Sequence, residues 1–190
     1  MFSLFRLRRS RGPIDLIVGM AGVKLGERLL QAGAGSPQAF AVLAGKAGLT
    51  GRACAVVDAP AAARRLEAAA AEEGVLVEVA TAQGGLWPYD AESFDVGVLD
   101  GDALPAAGSW DATGRLQDMR RVLRPGGRLL AVITTGGGLM ARLGLAGSAA
   151  DAATRGRNLA TALEVTGFRP VRVLAEREGM IFVEGFRPAS

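Results

Sequence analysis

Leu29-Leu30-Gln31-Ala32-Gly33-Ala34-Gly35-Ser36-Pro37 is the stretch on which the fold turns. Apolar residues run into two closely spaced glycines, and a helical pattern follows at once in Gln38-Ala39-Phe40-Ala41-Val42-Leu43. The pattern predicts a strand, a tight turn and a helix start. Glycine lets the backbone take positive φ and lets a ligand approach without a Cβ in the way. The helix beyond points free N–H groups at whatever lies over the turn. A nucleotide-like ligand is the usual occupant of such a place, at the carboxyl end of a first strand. An ordinary strand-to-helix turn has the same letters, since Gly-x-Gly is common in a chain with 27 glycines.

The flanking sequence extends the pattern in both directions. Pro13–Val23 has Leu16, Ile17, Met20 and Val23 near helical spacing, and Lys24-Leu25-Gly26 breaks it before a first strand over Glu27–Ala32. Ser36 is placed to cap the next helix and Pro37 sits at its first position, where a missing N–H costs nothing. That helix runs to about Lys46 and stops at Gly48. Ala53–Val57 is a continuous small apolar run ending in Asp58, as in strands buried on both faces of a parallel sheet. Pro60 opens an alanine-rich helix through Glu73. Val75–Val79 and Phe94–Leu99 read as strands three and four, and Trp110–Leu123 reads as a helix. Arg124-Pro125-Gly126-Gly127 then turns into a fifth strand, Arg128–Ile133.

Gly136-Gly137-Gly138 begins a flexible connection, followed by a helix over Asp151–Thr166. Phe168–Ala175 and Met180–Phe186, joined around Glu178-Gly179, are close enough to form an antiparallel hairpin. The alternation predicts an α/β protein with a doubly wound, Rossmann-like, mostly parallel sheet. Seven strands are expected, with the hairpin as the antiparallel part.

Length and composition place residues 13–190 in one domain behind a flexible basic leader, residues 1–12. Hydrophobic residues make up 49% and charged residues 22%, as in a soluble globular chain. The net charge of +3 is owed to Arg6, Arg8, Arg9 and Arg11 in the leader, so no folded nucleic-acid face is indicated. The leader suits either weak contact with an anionic membrane or acidic partner, or a frayed terminus. It makes a poor signal peptide, and no apolar run approaches the roughly 20 residues of a membrane span. Cys54 is the sole cysteine and lies mid-strand, which suits a reduced thiol and a cytoplasmic setting. The absence of histidine excludes serine–histidine–aspartate, cysteine–histidine and histidine–zinc chemistry.

Four stretches together resemble the class I S-adenosylmethionine-dependent methyltransferases, in particular the small-molecule type related to quinone biosynthesis. Gly26-Glu-Arg-Leu-Leu-Gln-Ala-Gly-Ala-Gly-Ser-Pro37 is similar to the family's Gly-Glu-Arg-Val-Leu-Asp-x-Gly-x-Gly-x-Gly. Asp58 stands at the acidic end of strand two. Trp87-Pro-Tyr-Asp-Ala-Glu-Ser-Phe-Asp-Val96 resembles Leu-Pro-Phe-x-x-x-Ser-Phe-Asp-x-Val, and Asp118-Met-Arg-Arg-Val-Leu-Arg-Pro-Gly-Gly127 resembles x-x-x-Arg-Val-Leu-Lys-Pro-Gly-Gly. The resemblance implies S-adenosylmethionine as cofactor and in-line methyl transfer to a small-molecule acceptor. It implies cofactor contacts at Gly33, Ala34 and Gly35, at Asp58 and Ala59, at Gln83 and at Leu99. Asp58 would hold the ribose hydroxyls, though a helix cap before Pro60 is an alternative for it.

Positioning carries such a displacement, so no particular catalytic base is required, and the sequence names none. The resemblance also implies an acceptor pocket built from the leading helix and the Gly136–Gly147 connection. Three positions depart from the family: Gln31 for a carboxylate, Pro37 for a third glycine and Gln83 for an aspartate. Each loses charge or backbone donors, so weakened cofactor binding is expected. A methyltransferase-like binding or partner subunit without catalysis remains the alternative. Asp100 and Asp102 read as a solvated loop rather than a metal site.

Overall fold

Leu29 and Leu30 are neighbours in the chain and fall on opposite faces of a sheet, each fully buried. The computed structural model describes residues 12–82, 86–104, 110–134 and 149–189. Its strands are β1 (Arg28–Ala32), β2 (Arg52–Val57), β3 (Glu78–Thr81), β4 (Phe94–Asp100), β5 (Leu123–Thr134), β6 (Val171–Arg177) and β7 (Met180–Phe186). They form one sheet in the order β3-β2-β1-β4-β5-β7-β6. β1 to β5 are parallel, and β7 runs antiparallel to both β5 and β6. This is the expected seven-stranded mixed sheet.

The helices α1 (Pro13–Ala21), α2 (Pro37–Ala47) and α3 (Pro60–Glu72) cover one face. Against them lie Leu29, Ala53, Ala55, Val57, Val96, Val98, Leu130, Val132 and Phe182. The helices α4 (Trp110–Val122) and α5 (Ala149–Thr166) cover the other, over Leu30, Cys54, Val56, Leu99, Leu129, Ala131, Ile133 and Val183. Burial on both faces explains why these strands read as unbroken apolar runs. Burial also pushes the Cys54 thiol up to about 11, so it stays protonated and inert.

Three boundaries differ from the sequence reading, each for a physical reason. β3 pairs from Glu78, not Val75: Val75 and Val77 pack under the helices while Leu76 is exposed, so these apolar residues serve the crossing from α3. β5 begins at Leu123, opposite Phe94, and its register shifts before Val96 meets Arg128. Arg124–Gly127 is thus a bulge within the strand, pinned by Gly126 N donating to Arg187 O and Arg187 N donating to Gly127 O, each at 2.9 Å. β6 begins at Val171, because Phe168 is fully buried in the core below α5 instead of pairing.

The two most distinctive sequence segments are held against each other. Asp118 of α4, 5% exposed, accepts from Trp87 N at 3.1 Å and from Arg121 Nε at 2.9 Å. Arg121 also donates to Tyr89 O at 2.7 Å and Trp87 O at 3.1 Å. Tyr89 Oη donates to Ala55 O at 2.9 Å, and its ring meets Phe94 edge-on with centroids 5.2 Å apart. A segment with no helix of its own is thereby fixed across the sheet.

At the start of β4, Asp95 accepts from Arg28 N at 2.8 Å, Arg28 Nε at 3.1 Å and Arg124 Nε. Burial opposes its charge, but the Arg28 side chain and backbone N–H and then Arg124 outweigh that, holding the carboxyl below its ordinary 3.8. Its stabilisation is therefore complete above pH 3.8 and lost as the pH falls through the lowered value. Asp95→Asn is expected to cost about 1.5–3 kcal/mol at neutral pH. In urea denaturation the gap from the parent should close below the ordinary carboxylate range.

Candidate functional site

β1 and β4 are neighbours, yet their connections leave towards opposite faces, which opens a crevice at their carboxyl ends. The glycine turn fills its floor. Gly33 has φ +87° and donates its N–H to Val56 O at 2.9 Å. A Cβ there would lie 2.7 Å from the Asp100 Cβ, so only glycine lets β1 and β4 approach so closely. Gly35, with φ +46°, donates its N–H to Asp100 Oδ2 at 2.9 Å, and Asp102 N donates to Asp100 Oδ1 at 3.1 Å. Ser36 caps α2, its Oγ accepting from Ala39 N at 3.3 Å, with Pro37 in the first turn. Ala34 is partly buried against the core on that face of the sheet.

A cavity of about 210 Å³ opens between this turn and α1. Pro13, Ile14 and Ile17 wall it on one side, and Gln31, Gly35, Asp100 and Asp102 on the other. α1 is anchored by β5: Arg128 donates to Met20 O at 3.3 Å and to Ala21 O, where a cation meets the helix's negative end. Asp102 Oδ2 accepts from Thr134 N at 2.8 Å and Thr134 Oγ1 at 2.6 Å, and its Oδ1 accepts from Arg155 of α5. The leading helix thus does border a pocket. Gly136–Gly147 and Gln83 lie outside the described residues.

Leu99 and Asp100 also face a second crevice, on the side of β2. It is lined by Gly33, Asp58, Trp87 and Arg115 and offers only about 10 Å³, close to the room one water needs. Arg115 Nη1 donates to Asp58 Oδ2 at 2.9 Å. α3 is capped by Ala59, with no side-chain cap bond, so the cap alternative for Asp58 falls away. Ala59 O accepts from Ala62 N at 2.9 Å and Ala63 N at 3.2 Å.

At the carboxyl ends of β1, β2 and β4, Gly33, Asp58 and Leu99 line the small crevice and Gly35 and Leu99 line the α1 cavity, whereas Ala34 and Ala59 line neither of the two. The sequence reading did not reveal Arg115, which lies 57 positions from Asp58 and in no motif. It also missed that Asp100 and Asp102 serve as hydrogen-bond acceptors tying β1, β5 and α5 to the turn. Their placement just past a strand end was the available signal.

A family model described as a methyltransferase domain matches residues 30–131. No curated protein matches the chain. Among solved structures it is similar to an S-adenosylmethionine-dependent methyltransferase from Aquifex aeolicus, with 17% identity and a TM-score of 0.72, covering 92% of this chain and 89% of that one. It is also similar to an S-adenosylmethionine-dependent O-methyltransferase from Thermotoga maritima, with 16% identity, a TM-score of 0.67, and 97% and 69% of the two chains covered. A third neighbour is the [4+2]-cyclase SpnF, with 16% identity, a TM-score of 0.66, and 93% and 80% covered. At these identities the likeness is one of fold.

Proposed function

The chain belongs to the methyltransferase domain family, and on that premise we propose an S-adenosylmethionine-dependent methyltransferase that acts on a small molecule. The observation that carries this is the Gly33–Gly35 turn lying between a cavity walled by α1 and the Asp58 carboxylate. The donor set suits a cationic nucleoside. Asp100 borders the α1 cavity with a carboxylate that accepts from two backbone N–H groups, Asp102 beside it is paired with Arg155, and Asp58, half exposed at the end of β2, is paired with Arg115.

When bound, S-adenosylmethionine supplies an electrophilic methyl group on a sulfonium sulfur. Asp58, now paired with Arg115, would hold the ribose hydroxyls, and Leu99 and Ala59 would border the nucleoside. The turn at Gly33, Ala34 and Gly35 would support the amino-acid half. Ile14 and Ile17 give the acceptor an apolar wall and keep water from its nucleophile, so orientation supplies the rate. This reading takes residues 13–190 as one domain and places the protein in the cytoplasm. Among the described residues no helix is long and apolar enough to cross a membrane.

Calorimetric titration with S-adenosylhomocysteine tests the reading, and binding at submillimolar concentration is expected. Asp58→Ala should weaken it by about 1.5–3 kcal/mol, the worth of hydrogen bonds to a charged group. One observation favours a second reading, a non-catalytic binding or partner subunit: the Asp58 crevice is closed by Arg115. No binding at millimolar ligand would select that reading.

A further inference from the structure

Gln31 is the last polar residue of β1 and is 3% exposed, yet it borders the α1 cavity. Its Nε2 donates to Ala34 O at 2.9 Å and to Gly33 O at 3.3 Å. Two carbonyl oxygens converging on one point beside a cavity form an acceptor pair for a small cation or an N–H2 group. A primary amide carries two N–H bonds and gives one to each, so the protein satisfies the pair itself. Gly35, whose Cβ would come within 3.3 Å of Gln31 Nε2, lets the turn close over the amide.

We infer that Gln31 stands in for a ligand's ammonium group, so that this site recognises its nucleoside ligand without reading an α-amino group. The inference rests on the cofactor reading above and refines it. The pocket takes a 5′-thio- or sulfonium nucleoside whose side chain carries an ammonium group or lacks one. A carboxylate at position 31 would instead face two carbonyl oxygens with no proton between them, an arrangement that a cation stabilises.

The test uses the full chain and two ligands in calorimetry: S-adenosylhomocysteine and its deaminated analogue, with a 3-carboxypropyl thioether. The parent protein should bind both within about threefold of each other. Gln31→Glu should prefer the ammonium-bearing ligand by at least about tenfold, because the ammonium then bridges carboxylate and carbonyls. Should that variant fail to fold, Gln31→Ala removes the amide and opens its space, and the preference for the ammonium should appear there too. A parent that already prefers S-adenosylhomocysteine by tenfold or more, at about the worth of one charged hydrogen bond, overturns the inference and leaves the cofactor reading standing. Equal binding of both ligands by the folded variants also overturns it. Binding of neither ligand by the folded parent at millimolar concentration overturns the inference and the cofactor reading together.

Discussion

Gly33→Ala is expected to cost about 2–5 kcal/mol of stability and to weaken S-adenosylhomocysteine binding. Two costs add at this residue. A side chain at φ +87° carries about 1–2 kcal/mol of strain. Its Cβ would also press to 2.7 Å on Asp100 Cβ and 3.2 Å on Ala103 Cβ, and forcing atoms into a filled space costs about 1–3 kcal/mol. Asp100 cannot yield freely, since it holds the N–H groups of Gly35 and Asp102. Gly26→Ala is the control: φ is +84° there, but the nearest atom to its Cβ is Thr50 Oγ1 at 3.6 Å. It should show the strain alone and leave binding unchanged. Chemical denaturation and calorimetry on both variants check the difference. Equal losses in the two would mean that the approach of Asp100 contributes nothing.

Asp118→Ala should be about as damaging, at about 2–4 kcal/mol. The carboxylate is buried and serves two donors from different parts of the chain. Its loss leaves Trp87 N without that acceptor and Arg121 without its counter-charge, although Arg121 keeps Tyr89 O and Trp87 O. Asp118→Asn retains an acceptor oxygen and should lose roughly half as much. Because Trp87 walls the Asp58 crevice, S-adenosylhomocysteine binding should fall with stability in the alanine variant. A urea midpoint unchanged from the parent would show that the two segments hold without this residue.

These residues show why the fold was readable from the sequence while much of the site was not. Buried parallel strands announce themselves as apolar runs, and Gly33, Ser36 and Pro37 each obey a local rule of turn or cap. The Trp87–Val96 and Asp118–Gly127 segments stand out for the same reason that they matter, being one buried polar junction seen in two pieces. Local rules fail where a residue's role is decided across the sheet. Val75-Leu76-Val77 looks like strand but crosses from a helix. The bulge at Arg124–Gly127 depends on Arg187, 60 positions away. Nothing near Asp58 announces Arg115, and nothing near Gln31 shows that its amide turns back on its own loop.

The placing of β7 bears on how the sheet is completed during synthesis. β7 follows every other strand in chain order, yet it lies inside the sheet, between β5 and β6. After β5 has been made, about fifty more residues must emerge before its free edge finds a partner. At about 5–20 residues per second, that edge waits for some seconds. β6 emerges first and has no strand to pair with until β7 arrives. A row of unpaired backbone groups on an apolar strand is a template for pairing with another chain. The nascent protein is therefore most open to self-association, and most in need of a chaperone, over that interval. Slowing translation between β5 and β7 should lower soluble yield more than an equal pause between β1 and β2.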